Sequence, residues 1–154
     1  MIRSLFQPKL RQYVYPFNNL SIPAKGIMND TNGLLKLALD ARGNAHAPYS
    51  EFKVGAALLT SSGAIYTGCN VENASYGLAI CAERVAICKA VSEGERSFQK
   101  IAVVATPFAT PCGACRQFIV EFGKSIEVVC ADAADLQHCQ SWTIDELIPD
   151  SFHF

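Results

Sequence analysis

The sequence lacks long apolar runs, internal repeats and low-complexity tracts. Its longest apolar stretches, such as residues 54–59, are far shorter than the roughly 20 residues that a membrane-spanning helix needs. Charged residues are also few, at 18% of the 154 positions, whereas 50% are hydrophobic. That composition is typical of a compact globule and excludes a largely disordered chain, and the length suits one domain.

Acidic residues are absent from the first 29 positions, which carry the bases Arg3, Lys9, Arg11 and Lys25. Of the 13 basic residues in the chain, nine therefore remain in residues 30–154, against 14 acidic ones, and that part has a net charge of −5. A body of this sign repels phosphate backbones. We therefore expect a small-molecule substrate, no nucleic-acid partner and no membrane partner.

Residues 1–28 show no helical periodicity, because Pro8, Pro16 and Pro23 interrupt an aromatic-rich segment. We interpret them as an irregular N-terminal extension, and residues 29–154 as a single domain. The extension has no uninterrupted apolar core of a secretory signal. Its arginines and its lack of acids leave organellar targeting as an alternative to a cytoplasmic location.

Seven cysteines are many for this length, but their odd number and the missing secretory signal argue against a disulfide framework. We expect reduced thiols in a cytoplasmic compartment, some of them available for metal binding or catalysis. Cys88 and Cys130 lie on apolar faces of predicted elements, so we predict that both are small core residues.

Apolar periodicity predicts alternating helices and strands. Asp30 or Thr31 can cap a first helix, and strands at 52–60 and 64–69 form a hairpin. A helix at 81–91, a strand at 101–105, a helix from Pro111 and a strand at 126–131 follow. A weak strand near Trp142 and a short helix at 145–148 complete the chain. This order predicts an α/β fold with one mixed β-sheet of about five strands covered by helices.

Three cysteines lie where two predicted helices begin. Cys81 starts one helix, and the Cys112-x-x-Cys115 pair starts another about thirty residues later. The pair can occupy adjacent corners of a tetrahedral zinc ion, and Cys81 can supply a third corner. Three protein ligands leave one position open, which is typical of a catalytic zinc. Glu83, two residues after a candidate ligand, is placed to transfer protons.

Each of these residues also has a simpler interpretation. The Cys112-x-x-Cys115 pair alone resembles a redox motif, and Glu83 alone resembles a solvated residue in the first turn of a helix. A noncatalytic zinc module is a third alternative, but it needs a fourth protein ligand, and the sequence offers no well-spaced candidate. The combination of three cysteines with Glu83 favours the catalytic interpretation.

The segment Cys81-Ala82-Glu83, followed by Pro111-Cys112-x-x-Cys115, resembles the signature of zinc-dependent nucleoside deaminases, in which the first ligand is often histidine. Blocks at 49–58, 68–76 and 111–117 extend the likeness to the small, homotetrameric cytidine deaminases, from about residue 30 to residue 152. The resemblance implies a three-layer fold and one zinc ion per chain. It also implies hydrolysis of cytidine and 2'-deoxycytidine to uridine and 2'-deoxyuridine with release of ammonia, as in pyrimidine salvage.

The resemblance also implies roles for single residues. Cys81, Cys112 and Cys115 match the zinc ligands, and Glu83 matches the proton shuttle. The positions that match substrate-binding residues of the same chain are Phe52 beside the pyrimidine, Asn70 and Glu72 at the ribose, and Ala82 through its backbone N–H. Ala74, Tyr76 and Phe152 match residues that, in the family, contribute to the site of a neighbouring chain. Active sites shared within a homotetramer follow from the last three.

Three thiolates on one zinc ion carry a net negative charge, which needs an offset. The two helix N-termini supply part of it, and Arg84 or Arg116 can donate hydrogen bonds to sulfur. The resemblance favours Arg84. A deaminase for another aminopyrimidine nucleoside, such as blasticidin S, is the nearest rival, and a polynucleotide-editing deaminase is disfavoured by the acidic body.

Overall fold

The computed structural model describes residues 30–152, which form one five-stranded sheet with helices on both faces. The predicted extension, residues 1–28, lies outside the described residues. In chain order the elements are α1 (Thr31–Arg42), β1 (Val54–Thr60), β2 (Ile65–Cys69), a short 3-10 helix (Tyr76–Leu78), α2 (Ala82–Ser92), β3 (Phe98–Ala105), α3 (Gly113–Val120), β4 (Glu127–Asp132), β5 (Asp135–Thr143) and α4 (Ile144–Leu147).

The sheet has the strand order β2-β1-β3-β4-β5 and is mixed. β1 pairs antiparallel with both β2 and β3, β3 pairs parallel with β4, and β4 pairs antiparallel with β5. The parallel pair requires a crossover, and α3 provides it. The predicted mixed α/β sheet is therefore confirmed.

Helix α1 covers one face of the sheet. The side chain of Asp30 accepts a hydrogen bond from the Gly33 N–H at 2.6 Å, which caps the helix as predicted. The helix packs closely on β1, because a Cβ atom at Gly55 would lie only 1.9 Å from the Ala38 carbonyl oxygen. The core on this side consists of Leu34, Leu35, Ala38, Ala57, Leu59, Ala102, Val104, Val129 and Ala131.

Helices α2, α3 and α4 contribute to the core on the opposite face, which gives the three layers that the resemblance implies. The buried residues on this side include Ala56, Leu58, Ala86, Ile87, Ile101, Val103, Ile119, Val128, Cys130 and Ile144. Cys130 is buried, as predicted. The prediction for Cys88 is wrong, because Ala86, Ile87 and Ala90 face the core and Cys88 falls on the exposed side of α2.

Strand β5 is longer than the weak strand predicted near Trp142. It has nine residues, most of them exposed, and it forms one edge of the sheet. An edge strand held by β4 on one side alone buries few side chains, so its sequence carries little apolar alternation. Within residues 30–152, no helix is long and apolar enough to cross a membrane.

Candidate active site

Three thiols meet where α2 and α3 begin. Cys81 is the N-cap residue of α2, Cys112 is the N-cap residue of α3, and Cys115 lies in the first turn of α3. Their Sγ atoms all lie within 4.8 Å of one another, and those of Cys81 and Cys112 are 3.9 Å apart. Two sulfurs on a tetrahedral zinc, each with a Zn–S bond of about 2.3 Å, are about 3.8 Å apart. The trio therefore fits one zinc ion.

No other group of three metal-ligating side chains, and no fourth ligand for this one, comes together among residues 30–152. Cys115 is buried, Cys81 is half-buried and Cys112 is exposed. An ion held by these three sulfurs would keep a coordination position for a non-protein ligand, which separates a catalytic zinc site from a structural one. The three residues predicted as metal ligands are thus brought together.

The surroundings favour thiolate at Cys81. The pKa of Cys81 is lowered to about 5, first by a hydrogen bond from Cys115 and then by one from Arg84. The Arg84 Nη2 atom lies 3.6 Å from the Cys81 Sγ atom and 3.4 Å from the Ala79 carbonyl oxygen. The pKa of Cys115 is raised, because its proton is held in the bond to Cys81 and because it is buried. Arg84 therefore contacts the cluster as the resemblance implies, and Arg116 does not.

Arg116 instead fixes the segment before Cys112. Its guanidinium donates to the Pro111 carbonyl oxygen at 2.8 Å, to the Thr110 hydroxyl at 3.0 Å and to the Leu147 carbonyl oxygen at 2.8 Å. The first two bonds hold the residues that lead into the Cys112 N-cap. The third ties the end of α4 to the same helix start.

Glu83 lies in the first turn of α2 and is only 4% exposed. Its pKa is raised, mainly because burial removes water from the charged form and also because the Cys81 thiolate repels it. Gly68 on β2 allows this helix to approach the sheet, since a Cβ atom there would lie 2.4 Å from the Ala82 carbonyl oxygen and 2.6 Å from the Ala86 nitrogen. Close packing at Gly68 thus sets the depth at which α2 holds Glu83.

A cavity of about 250 Å³ opens beside the cluster. It brings together six of the residues predicted from sequence: Phe52, Asn70, Glu72, Cys81, Glu83 and Cys112. Sequence reasoning missed the rest of its lining, which is mostly apolar: Val54, Val71, Ala79, Ile80, Val103, Ala109 and Thr110. Such residues carry no chemical signature of their own, and only the fold shows that they line a site.

Asn70 fixes the backbone at the start of β1. Its Oδ1 atom accepts from the Val54 N–H at 2.8 Å, and its Nδ2 atom donates to the Phe52 carbonyl oxygen at 2.8 Å. This pair of bonds fixes the backbone on both sides of Lys53 and so orients Phe52 in the cavity wall. The amide retains a second N–H and a second oxygen lone pair for a ligand.

Glu72 organises the other side of the cavity mouth. Its carboxylate accepts from the N–H groups of Tyr49 and Ser50, at 2.9 and 3.3 Å, and from the Ser50 hydroxyl. The Ser50 hydroxyl is the main reason why the pKa of Glu72 is lowered. Sequence reasoning assigned no role to Ser50, although the Tyr49-Ser50 pair belongs to one of the matching blocks.

Four predicted substrate-binding residues do not line this cavity. Ala82 is buried in the first turn of α2, and Ala74 lies in the exposed loop before the 3-10 helix. Tyr76 is 79% exposed beside a second depression of about 350 Å³, and its ring meets that of Tyr49 edge-on with centroids 6.3 Å apart. Phe152 is 66% exposed. The roles of Ala74, Tyr76 and Phe152 concern neighbouring chains and stay predictions.

Fold and site together define an α/β protein with a three-cysteine metal centre next to a buried carboxylate. Residues 28–132 match the family model for the cytidine and deoxycytidylate deaminase zinc-binding region. The chain belongs to this family, and zinc, the metal in that description, is the ion that its three thiols fit.

Individual relatives agree with the family assignment. A Dictyostelium discoideum protein named "Probable cytidine deaminase" is 61% identical over 103 residues, or 62% of this chain and 69% of the relative. A cytidine deaminase from Sporosarcina psychrophila is 46% identical over 127 residues, or 80% and 91%. The crystal structure of a cytidine deaminase from Burkholderia pseudomallei superposes with a TM-score of 0.75 at 46% identity, covering 80% of this chain and 99% of that one.

Proposed function

We propose that this chain is a zinc-dependent hydrolase that converts cytidine and 2'-deoxycytidine to uridine and 2'-deoxyuridine. The observation that carries the proposal is the placement of the buried Glu83 carboxyl and the Cys81 and Cys112 thiols in one cavity whose mouth holds Asn70 and Glu72. The reaction adds one water at C4 of the cytosine ring and releases the 4-amino group as ammonia, so its atoms balance without a further reactant.

Cys81, Cys112 and Cys115 hold the metal, and zinc bound there supplies Lewis-acid chemistry that makes water a nucleophile near neutral pH. The thiols lie at two helix N-termini, whose positive ends stabilise sulfur in the thiolate form. Arg84 adds a hydrogen bond to Cys81 and so withdraws part of the sulfur charge.

Glu83 moves the protons. Its carboxylate accepts a proton from the attacking water and delivers it to N3 of the ring, and a second transfer lets the amino group leave as ammonia. A pKa raised above the ordinary carboxyl value makes Glu83 a stronger base for the proton that it accepts from water. Burial keeps bulk water from competing for the proton that Glu83 carries.

The nucleoside contacts the rest of the cavity and the start of α2. Phe52 contacts the pyrimidine ring, the free N–H of Asn70 and the carboxylate of Glu72 bind ribose hydroxyls, and the backbone N–H of Ala82 donates to the reacting part of the substrate. Asn70 and Glu72 are already fixed by hydrogen bonds to the backbone of residues 49–54, so they bind the sugar without first losing side-chain freedom.

The active unit is a homotetramer whose sites are completed by Ala74, Tyr76 and Phe152 from neighbouring chains. Four large apolar side chains support this proposal, because they are exposed at the cavity or at the second depression, which shares Glu72 and Ala79 with it: Tyr49, Val71, Tyr76 and Ile80. Contiguous exposed apolar surface is typical of association sites. Light scattering on the active enzyme should give four times the 16.7 kDa chain mass, and a fully active monomer would refute shared sites.

The enzyme acts in pyrimidine salvage in the cytoplasm. All seven cysteines lie within residues 30–152, and none forms a disulfide there, which supports a reducing compartment. Fractionation of cells that produce the full chain tests the location. Recovery with an organelle would instead favour a targeting role for residues 1–28.

The purified chain, loaded with zinc, should decrease the absorbance of cytidine with release of one ammonia per uridine formed. Free cytosine and cytidine monophosphate should be poor substrates, because the base lacks the ribose and because neighbouring chains of the proposed tetramer close the cavity and leave little room for a phosphate. Blasticidin S serves as the rival substrate. Comparable specificity constants for cytosine and cytidine, or a higher one for blasticidin S, would contradict the proposal.

A further inference from the structure

Gln117 forms two hydrogen bonds with the backbone of Phe152. The Gln117 Nε2 atom donates to the Phe152 carbonyl oxygen at 2.7 Å, and the Phe152 N–H donates to the Gln117 Oε1 atom at 3.0 Å. The side-chain amide thus pairs with both polar groups of one residue, as a neighbouring strand would. A pair of this kind fixes the direction of the backbone as well as its distance.

Gln117 lies on α3, the helix that carries Cys112 and Cys115 at its start. Arg116, the preceding residue, donates to the Leu147 carbonyl oxygen at 2.8 Å. Ser151, next to Phe152, is buried. The segment from α4 to Phe152 is therefore attached to the metal-binding helix at two points, and its end is held against the protein body.

The side chain of Phe152 nevertheless remains accessible at the surface. It is 66% exposed, and Phe152 is not among the described residues that line the cavity beside the cluster. A backbone held by two hydrogen bonds beside a largely exposed aromatic ring is an arrangement suited to presenting the ring to another molecule. A second copy of this chain offers a matching apolar surface, because Ile80 is exposed at the cavity and Tyr76 is exposed at the second depression, which shares Glu72 and Ala79 with the cavity.

We propose that Gln117 is a positioning residue that sets the reach of Phe152 into the active site of a neighbouring chain. This inference rests on the proposed function, since it requires a shared nucleoside site. Through Gln117, the helix that holds two zinc ligands in one site also positions an aromatic side chain for the next site.

Removing the amide tests the proposal. Gln117→Ala should raise KM for cytidine by at least about threefold, and by no more than Phe152→Ala does, because only the placement of the stacking ring is lost. Zinc content and kcat should stay within about twofold of wild type. The matched control is Gln137→Ala, an exposed glutamine on β5 whose side chain accepts and donates no described hydrogen bond. Gln117→Glu keeps the shape but cannot donate to the Phe152 carbonyl, so it should also raise KM.

Two further measurements separate positioning from a general structural role. The double variant Gln117→Ala/Phe152→Ala should have the KM of Phe152→Ala alone, because both changes act through one ring. In mixed tetramers, Gln117→Ala chains combined with inactive Glu83→Gln chains should regain the wild-type KM. The Glu83→Gln chains keep Gln117, so they place Phe152 correctly in the active sites of the Gln117→Ala chains. Mixing with Glu83→Gln/Gln117→Ala chains should not restore it.

The proposal would be overturned if the KM of the double variant rose by the product of the two single-variant factors. It would also be overturned if mixing with Glu83→Gln chains left the KM of the Gln117→Ala chains raised. An unchanged KM in both Gln117→Ala and Gln117→Glu, while the wild-type chain deaminates cytidine normally, would overturn it as well. A wild-type chain that holds zinc but releases no ammonia from cytidine would instead overturn the proposed function, and this inference with it.

Discussion

The Sγ atoms of Cys81 and Cys112 lie 3.9 Å apart, although 31 positions separate the two residues in the chain. Each occupies the N-cap position of a different helix, and the two helices reach the same point only because both pack on one face of the sheet. The metal centre therefore depends directly on the tertiary fold.

Cys112→Ala should remove one of three ligands and with it most of the zinc affinity and the activity. Metal analysis of the purified protein and the deamination assay measure both. Cys88→Ala is the matched control, since Cys88 is an exposed cysteine on α2 outside the cluster, and it should keep one zinc per chain. Full retention of zinc and activity in Cys112→Ala would show that the ion, if any, is held elsewhere.

Glu83→Gln should keep the fold and the zinc but lower turnover by at least about 100-fold, the lower end of what a general acid-base residue contributes. The amide has nearly the same shape and cannot carry the proton. Glu121→Gln, at the exposed end of α3, is the control and should leave turnover unchanged. Near-normal turnover in Glu83→Gln would rule out the proton-shuttle role.

Ser50→Ala should raise the pKa of Glu72 toward its ordinary value, because the Ser50 hydroxyl is the main cause of the lowered pKa. A carboxyl whose pKa is lowered by folding stabilises the native state above its unfolded pKa, and this contribution is lost as the pH falls through the folded pKa. The free energy of unfolding of the variant should therefore depend less steeply on pH in the acidic range. NMR titration of the Glu72 carboxyl measures the shift.

The same variant should raise KM for cytidine more than it lowers kcat, since the freed Glu72 carboxylate must be ordered again when ribose binds. Ser141→Ala, an exposed serine on β5, is the control. If the Glu72 pKa in Ser50→Ala is the same as in wild type, the hydrogen bond in the structure does not govern this carboxyl in solution.

Gly68→Ala should destabilise the fold by about 1–3 kcal/mol, the usual cost of overpacking, and should lower activity as well. Its Cβ atom would collide with the backbone of α2 at Ala82 and Ala86, and a backbone cannot turn aside as a flexible side chain can. Gly77→Ala is the control, because a Cβ atom there has no heavy atom within 4 Å. Denaturant unfolding compares the two, and equal stability would contradict the tight packing of α2.

Spacing and residue type were enough to predict the three-cysteine cluster and its neighbouring carboxylate, because Cys81, Glu83, Cys112 and Cys115 occupy fixed positions at helix starts. The element order also predicted the mixed sheet. The apolar wall of the cavity was not predictable, since Ile80 and Val103 resemble any core residue. Cys88 was misplaced because an apolar-looking helix face is defined only to within a residue or so by sequence, whereas α2 buries Ala86, Ile87 and Ala90.

The link between Gln117 and Phe152 was also beyond sequence reasoning. A glutamine on a helix is usually solvated, and nothing in the spacing of the two residues indicates that one amide pairs with the other's backbone. Similarly, Ser50 and Glu72 are brought together by the loops that precede β1 and follow β2. Such contacts depend on how loops fold back over the sheet, which local patterns do not specify.

Because its ligands lie at the starts of two helices that β3 separates in sequence, the metal centre cannot form from any local segment of the chain. The complete three-sulfur site therefore requires that α2 and α3 have docked on the sheet. An ion that binds only the finished fold draws the folding equilibrium toward it as the free zinc concentration rises above the dissociation constant. Zinc supply during synthesis should thus govern how much folded protein a cell accumulates, in addition to how active each molecule is.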